Sequence, residues 1–224
     1  RDLPDDRQRF FRHLGWFPGV SVDAYPAAAL AEVSVAQAAG HLDALYDDHL
    51  LKESGDGRFR LHDLLRDYSR MLAGADDPAR RTAALARLAV FYLAAIRAAN
   101  RLVARPGTTA PAAAEGGESD QGGTVVPTWA SREQAMAWLE DERATVLALI
   151  EEATAKGRAA DVIGLAAAMG PLLRQAGPWD QAVRVHRNAA TVAERAGDHA
   201  AQAGALAEAG VVLRLTGDYP AADA

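Results

Sequence analysis

Between Gly55 and Leu72 the side-chain period switches from two to about 3.6, which specifies a strand running straight into a helix. Gly55-Asp56-Gly57 is a turn signal of the kind that closes a hairpin. Phe59-Arg60-Leu61 alternates apolar and charged residues, as a half-buried strand does. Leu64, Leu65, Tyr68, Met71 and Leu72 then keep one helical face apolar. His62 and Asp63 stand at the join. Read as residues only, Asp63 is a good N-cap for a helix from Leu64, and His62 is a polar residue at a strand end.

Three helix signals precede the hairpin. Asp5 to Leu14 carries Phe10, Phe11 and Leu14 on one face and stops at Gly15 and Pro18-Gly19. A short helix is predicted over Asp23 to Ala31. Ser34-Val35-Ala36-Gln37 is a capping box, and it opens a helix with Val35, Ala39, Leu42, Leu45, Tyr46, His49 and Leu50 at spacings of three or four. Three helices, a β-wing and a closing helix make a winged-helix domain over residues 1–75.

Charge bears on what such a domain contacts. No Lys or Arg occurs between Arg12 and Lys52, while Asp23, Glu32, Asp43, Asp47 and Asp48 do. A recognition helix enters the DNA major groove with cationic support for the phosphates. A third helix bearing Asp43, Asp47 and Asp48 is repelled instead, so DNA is not the expected partner of this face.

The Leu61-His62-Asp63 segment resembles the Met-His-Asp motif at the wing-to-helix junction of NB-ARC-type STAND signalling ATPases. Leu3-Pro4, Arg9 to Gly19 and Leu42-Asp43-Ala44-Leu45 are similar to the winged-helix segment of bacterial STAND regulators. The segment from Leu61 to Arg66 is similar to antibiotic-regulatory transcription activators that end in helical repeats. The resemblance implies that His62 contacts the β-phosphate of bound ADP and helps to hold the protein off, with Asp63 capping the helix in its support. An imidazole N–H is a good phosphate donor, and protonation strengthens the bond. The resemblance also implies ADP or ATP with Mg²⁺ in the whole protein. No G-x-x-x-x-G-K-[ST] loop and no Walker B strand occur in this sequence, so the expectation is no cofactor and no ATP hydrolysis in this stretch by itself. The expected partner of the winged helix is then an intramolecular nucleotide-binding domain preceding Arg1.

Of the 224 residues, 50% are hydrophobic and only 6% aromatic, a mixture that favours closely packed helices over sheets. The absence of cysteine excludes disulfides and thiolate metal sites. No apolar run is expected to reach bilayer length, no signal peptide is expected, and a cytoplasmic location is expected. Pro78 opens a spacer helix within residues 76–104, with Leu85, Leu88, Phe91, Tyr92, Ile96, Ala99, Leu102 and Val103 on its buried face. Residues 105–128 read as a linker or loop rich in Gly, Pro, Ala and Thr. Ser131-Arg132-Glu133-Gln134 is a second capping box, starting a helix with Met136, Trp138, Leu139, Val146, Leu149 and Ile150.

Residues 129–224 repeat. Gly170 and Gly210, Leu173 and Leu213, Arg174 and Arg214, Gly177 and Gly217, and Ala182 and Ala222 recur at a fixed spacing of about forty, with Trp179 matched by Tyr219. The pattern resembles the tetratricopeptide (TPR) helix-turn-helix. In it a glycine lets two helices approach, a turn glycine ends the first helix, and an aromatic staples the turn. The final residues read as an unfinished helix, and the chain is expected to be an excised part of something larger. Such arrays bind partners on a concave face. Arg174 and Arg214 are candidate contacts for an acidic partner, or else solvated surface arginines. His186 and His199 are expected on helix surfaces without ligand spacing, and His41 and His49 at half-buried helical positions.

The fold expected is mostly α: a winged helix with a small β-wing, then a TPR-like hairpin array. The function expected is the sensor portion of a STAND regulator that is itself no enzyme, with a protein, peptide or small-molecule effector on the repeats. Two other functions fit less of the sequence: a DNA-binding winged helix with a repeat-type dimerisation arm, and a plain peptide-binding scaffold.

Overall fold

The computed structural model describes residues 3–55, 57–104 and 124–217. Nine helices and one two-stranded sheet occur among them. They divide into two units, one holding residues 3–94 with 124–128, the other 95–104 with 129–217.

The first unit begins with α1 (Asp5–Leu14), whose Phe10, Phe11 and Leu14 are buried. α2 (Ala24–Ala31) is capped by Asp23, whose carboxylate accepts from Tyr25 N–H at 2.8 Å. α3 (Val35–Asp47) starts on a true capping box. Ser34 Oγ accepts from Gln37 N–H, and the Gln37 amide accepts from Ser34 N–H. Leu42 and Leu45 are fully buried, but Tyr46 is 43% exposed. His49 lies past the helix end, exposed and at φ 59°, and is not a half-buried helical position.

β1 (Leu51–Glu53) pairs antiparallel with β2 (Phe59–Leu61), Leu51 opposite Leu61 and Lys52 opposite Arg60. Val22 adds a bridge to Phe59 on the far side, with both N–H···O distances 2.8 Å. α4 (Asp63–Gly74) follows at once. His62 is its N-cap and Asp63 its first residue, one position earlier than the sequence suggests. The larger difference is the buried face. Leu64, Tyr68 and Met71 are 84%, 49% and 63% exposed, while Ser69 and Ala73 are buried. Gly15 explains this: a Cβ there would stand 2.5 Å from the Ser69 carbonyl oxygen, so the chain after α1 meets α4 backbone to backbone. Only small residues fit such a contact. Trp16 Nε1 donates to the Ala73 carbonyl at 3.2 Å beside it.

α5 (Pro78–Val103) contributes residues to both units. In the first, Arg87 clasps the end of α2, donating to the Ala29 and Leu30 carbonyls at 3.1 and 3.0 Å. A cation at helix-terminal carbonyls satisfies orphan acceptors and opposes the dipole. Leu102 is exposed, off the expected buried face. Contrary to the sequence reading, α5 has the length and composition to cross a bilayer; half of that window is buried inside the protein, as in a core helix.

The second unit continues with α6 (Arg132–Ala155), α7 (Ala159–Gln175), α8 (Trp179–Ala196) and α9 (His199–Leu215). Ser131 caps α6, but Gln134 returns its bond to Ala130 N–H, so the second box is displaced by one residue. α7 and α9 are offset by forty residues at both ends, and Gly157 and Gly197, which precede them, both turn left-handed, at φ 67° and 74°. Two expectations about the repeat fail. Gly217 is left-handed at φ 80° but Gly177 is not, so the paired glycines make different turns. A Cβ on Gly170 would meet nothing nearer than 3.4 Å, the carboxylate end of Glu208, so this glycine forces no close approach. Trp179 is 42% exposed. Positions 105–123 of the expected linker, and Tyr219 and Ala222 of the repeat, lie outside the described residues.

Candidate functional site

His62 stands where β2 ends and α4 begins. Its backbone is extended, and its carbonyl accepts the first α4 bond from Arg66 N–H at 2.8 Å. The imidazole makes no cap bond, so the first amide groups of α4 have no side-chain acceptor at the N-cap. The ring is half-buried. Free N–H groups and the positive end of the helix dipole favour an anion at this point. Asp63, exposed in the first turn, supplies one carboxylate.

Cations surround the join. Lys52 and Arg60 are exposed and directly opposed across the hairpin, where like charges repel. Arg66 donates to the Val20 carbonyl at 2.6 Å. Its guanidinium is held below its ordinary pKa, first by burial and then by Arg70 and Arg60, against the pull of Asp63 and Asp67. An imidazole and clustered guanidinium groups at a helix start are suited to phosphate oxygens.

The two arginines singled out in the repeat have different surroundings. Arg174 on α7 is paired with Glu208 on α9, both half-buried. Arg214 is exposed in the last turn of α9. His186 on α8 is buried, not at the surface: it is 1% exposed and its Nε2 has no hydrogen-bond partner. Burial pushes its pKa below 6.5, with Glu208 raising it and Arg174 lowering it further. His199 is exposed at the start of α9. The signal missed at His186 was the helical spacing Val183, His186, Ala190, all buried. His41 is half-buried and stacks on Phe10 at a 4.8 Å ring separation.

The chain is similar to two proteins named regulatory protein AfsR. It is 37% identical over 160 residues to that of Streptomyces griseus, covering 68% of this chain and 16% of the relative. It is 32% identical over 163 residues to that of Streptomyces coelicolor, covering 70% of this chain and 16% of the relative. The chain therefore spans only a small part of the length of these relatives. No family model and no solved structure matches it.

Proposed function

We propose, from this homology to a segment of AfsR regulatory proteins, that the chain is the regulatory and sensing portion of an AfsR-like bacterial transcriptional regulator built as a STAND ATPase. The first unit serves as its winged helix. The order α1, the Val22 bridge, α2, α3 and the β1–β2 hairpin supports that reading, with the hairpin as wing.

The observation that carries the functional part is the imidazole of His62, free of any cap bond at the N-terminus of a twelve-residue helix. There it donates to the β-phosphate of ADP held by a nucleotide-binding domain outside this sequence. Arg60 and Arg66 offset the phosphate charge, and Asp63 orients the first turn. The exposed Leu64, Tyr68 and Met71 give that domain an apolar surface to cover. The second unit is a TPR-like arm for an effector or protein partner, with Arg214 open to an acidic group and Arg174 reachable by exchange with Glu208. An ADP-latched compact form gives way when the effector favours the open one. Phosphate cradle and Mg²⁺ ligands belong to the other domain, so this chain alone does not hydrolyse ATP.

The test is His62→Ala in the intact regulator. Release of a fluorescent ADP analogue should accelerate about tenfold, the scale of a lost charge-assisted hydrogen bond, and basal transcription should rise. Unchanged release together with unchanged basal transcription refutes the latch.

A further inference from the structure

α3 and the hairpin enclose a second feature, unrelated to the nucleotide latch. A groove of about 350 Å³ runs between them, lined by Leu42, Asp43, Tyr46, Glu53 and Phe59. Leu42 and Phe59 are buried and give it an apolar floor, while Tyr46 is 43% exposed at its rim. The two rings lie 5.9 Å apart at 59°. Glu53 is the direct cross-strand neighbour of Phe59, and Asp43 precedes Tyr46 by one helical turn. Both carboxylates are exposed, and among the described residues no ion pair reaches either. Arg7 pairs with Asp48 at 3.0 Å and Arg58 bonds Ser21 and Asp23, while Lys52 and Arg60 stand on the opposite face of the hairpin from Glu53 and Phe59. No lining residue is basic.

This is a groove with π faces, apolar floor and two uncompensated negative charges. Those properties select a cation that is flat and weakly hydrated. A guanidinium stacks on Tyr and forms bidentate bonds to carboxylates, whereas an ammonium is a strongly hydrated point charge. The groove is open along Tyr46, so it takes one side chain and its flanking backbone, not a whole enclosed ligand. We infer that the α3–hairpin groove is a docking site for an arginine presented by an extended basic segment of a partner protein. The same charges that repel a DNA phosphate attract this partner.

The test uses the 224-residue chain and a fluorescent hexa-arginine amide, with hexa-lysine, hexa-glutamate and a short DNA duplex as further probes. Asp43→Asn with Glu53→Gln should weaken hexa-arginine binding about tenfold, the size of a lost close charge pair. Asp5→Asn with Asp6→Asn removes the same charge from exposed positions outside the groove lining and should leave affinity within about twofold, as screened charge away from the contact does. Tyr46→Ala, at constant charge, should cost about threefold, and hexa-lysine should bind more weakly than hexa-arginine. Equal losses in the two double variants, or no loss in Tyr46→Ala, overturns the proposal. So does a DNA duplex that competes with hexa-arginine for the groove.

Discussion

The two units reach a packed interior by different means. Every buried aromatic among the described residues, Phe10, Phe11, Trp16, Phe17, Phe59, Phe91 and Tyr92, belongs to the first. The buried hydrophobic residues of the second are Ala, Val, Leu, Ile and Met, with Trp129 and Trp138 half-exposed. A fold of unlike pieces needs large anchors, each fitted to one place. A fold of like helices needs small residues at a regular interval, because the helices meet along their whole lengths. Sequence signals differ accordingly: caps and motifs mark the first unit, and a period marks the second.

The sharpest test of that contrast is Phe10→Ala. Removing a buried aromatic should cost about 3–5 kcal/mol. Near-ultraviolet circular dichroism reports buried aromatic packing, so urea unfolding followed there should shift far more than the transition at far-ultraviolet wavelengths. Coincident shifts would show the two units unfolding as one.

The glycines give the next effect, with opposite signs. Gly15→Ala drives a methyl group against the Ser69 carbonyl and should cost about 1–3 kcal/mol by overpacking. Gly170→Ala makes only ordinary van der Waals contact with the side-chain ends of the Glu208–Arg174 pair inside a helix, and should be neutral or stabilise by up to about 1 kcal/mol. Equal destabilisation of both in thermal melts would restore the close-approach role that the repeat pattern suggests for Gly170.

The smallest effect is a pH dependence in the second unit. Burial first, and Arg174 after it, hold the folded pKa of His186 below 6.5, with Glu208 opposing. The unfolded chain therefore takes up the proton first on acidification. Stability is complete above pH 6.5 and is lost as pH falls through that value towards the folded pKa. His13, held low mainly by burial, acts in the same direction in the first unit. His186→Leu should flatten only part of the slope of melting temperature against pH; an unchanged slope would remove His186 from the account.

Much of the first unit was legible because its signals are local. The stops at Gly15 and Pro18, the Ser34 box and the turn at Gly55 and Gly57 need no knowledge of the rest of the chain. The orientation of α4 was not legible. An apolar stripe at helical spacing says that a face avoids water, not which neighbour covers it, and the buried face was instead decided by Gly15, far away in sequence. The repeat was legible as a spacing, but not the surroundings of its members: Arg174 finds Glu208 on α9, while Arg214 is exposed in the last turn of the last described helix. His62 stands at the join as expected, but as the N-cap itself in place of Asp63, because an extended residue whose carbonyl accepts the first helical bond can cap without using its side chain.

The small sheet has one more consequence. With Val22 bridged to Phe59, the outer side of β2 is paired at its first residue, while no strand or bridge covers the outer side of β1 among the described residues. That margin is three residues long and carries Lys52 at its centre. A strand so short and so charged is a poor template for a foreign backbone, which is how natural sheets escape fibril growth. Aggregates of this protein should accordingly lack the cross-β diffraction spacing and form through helical surfaces instead.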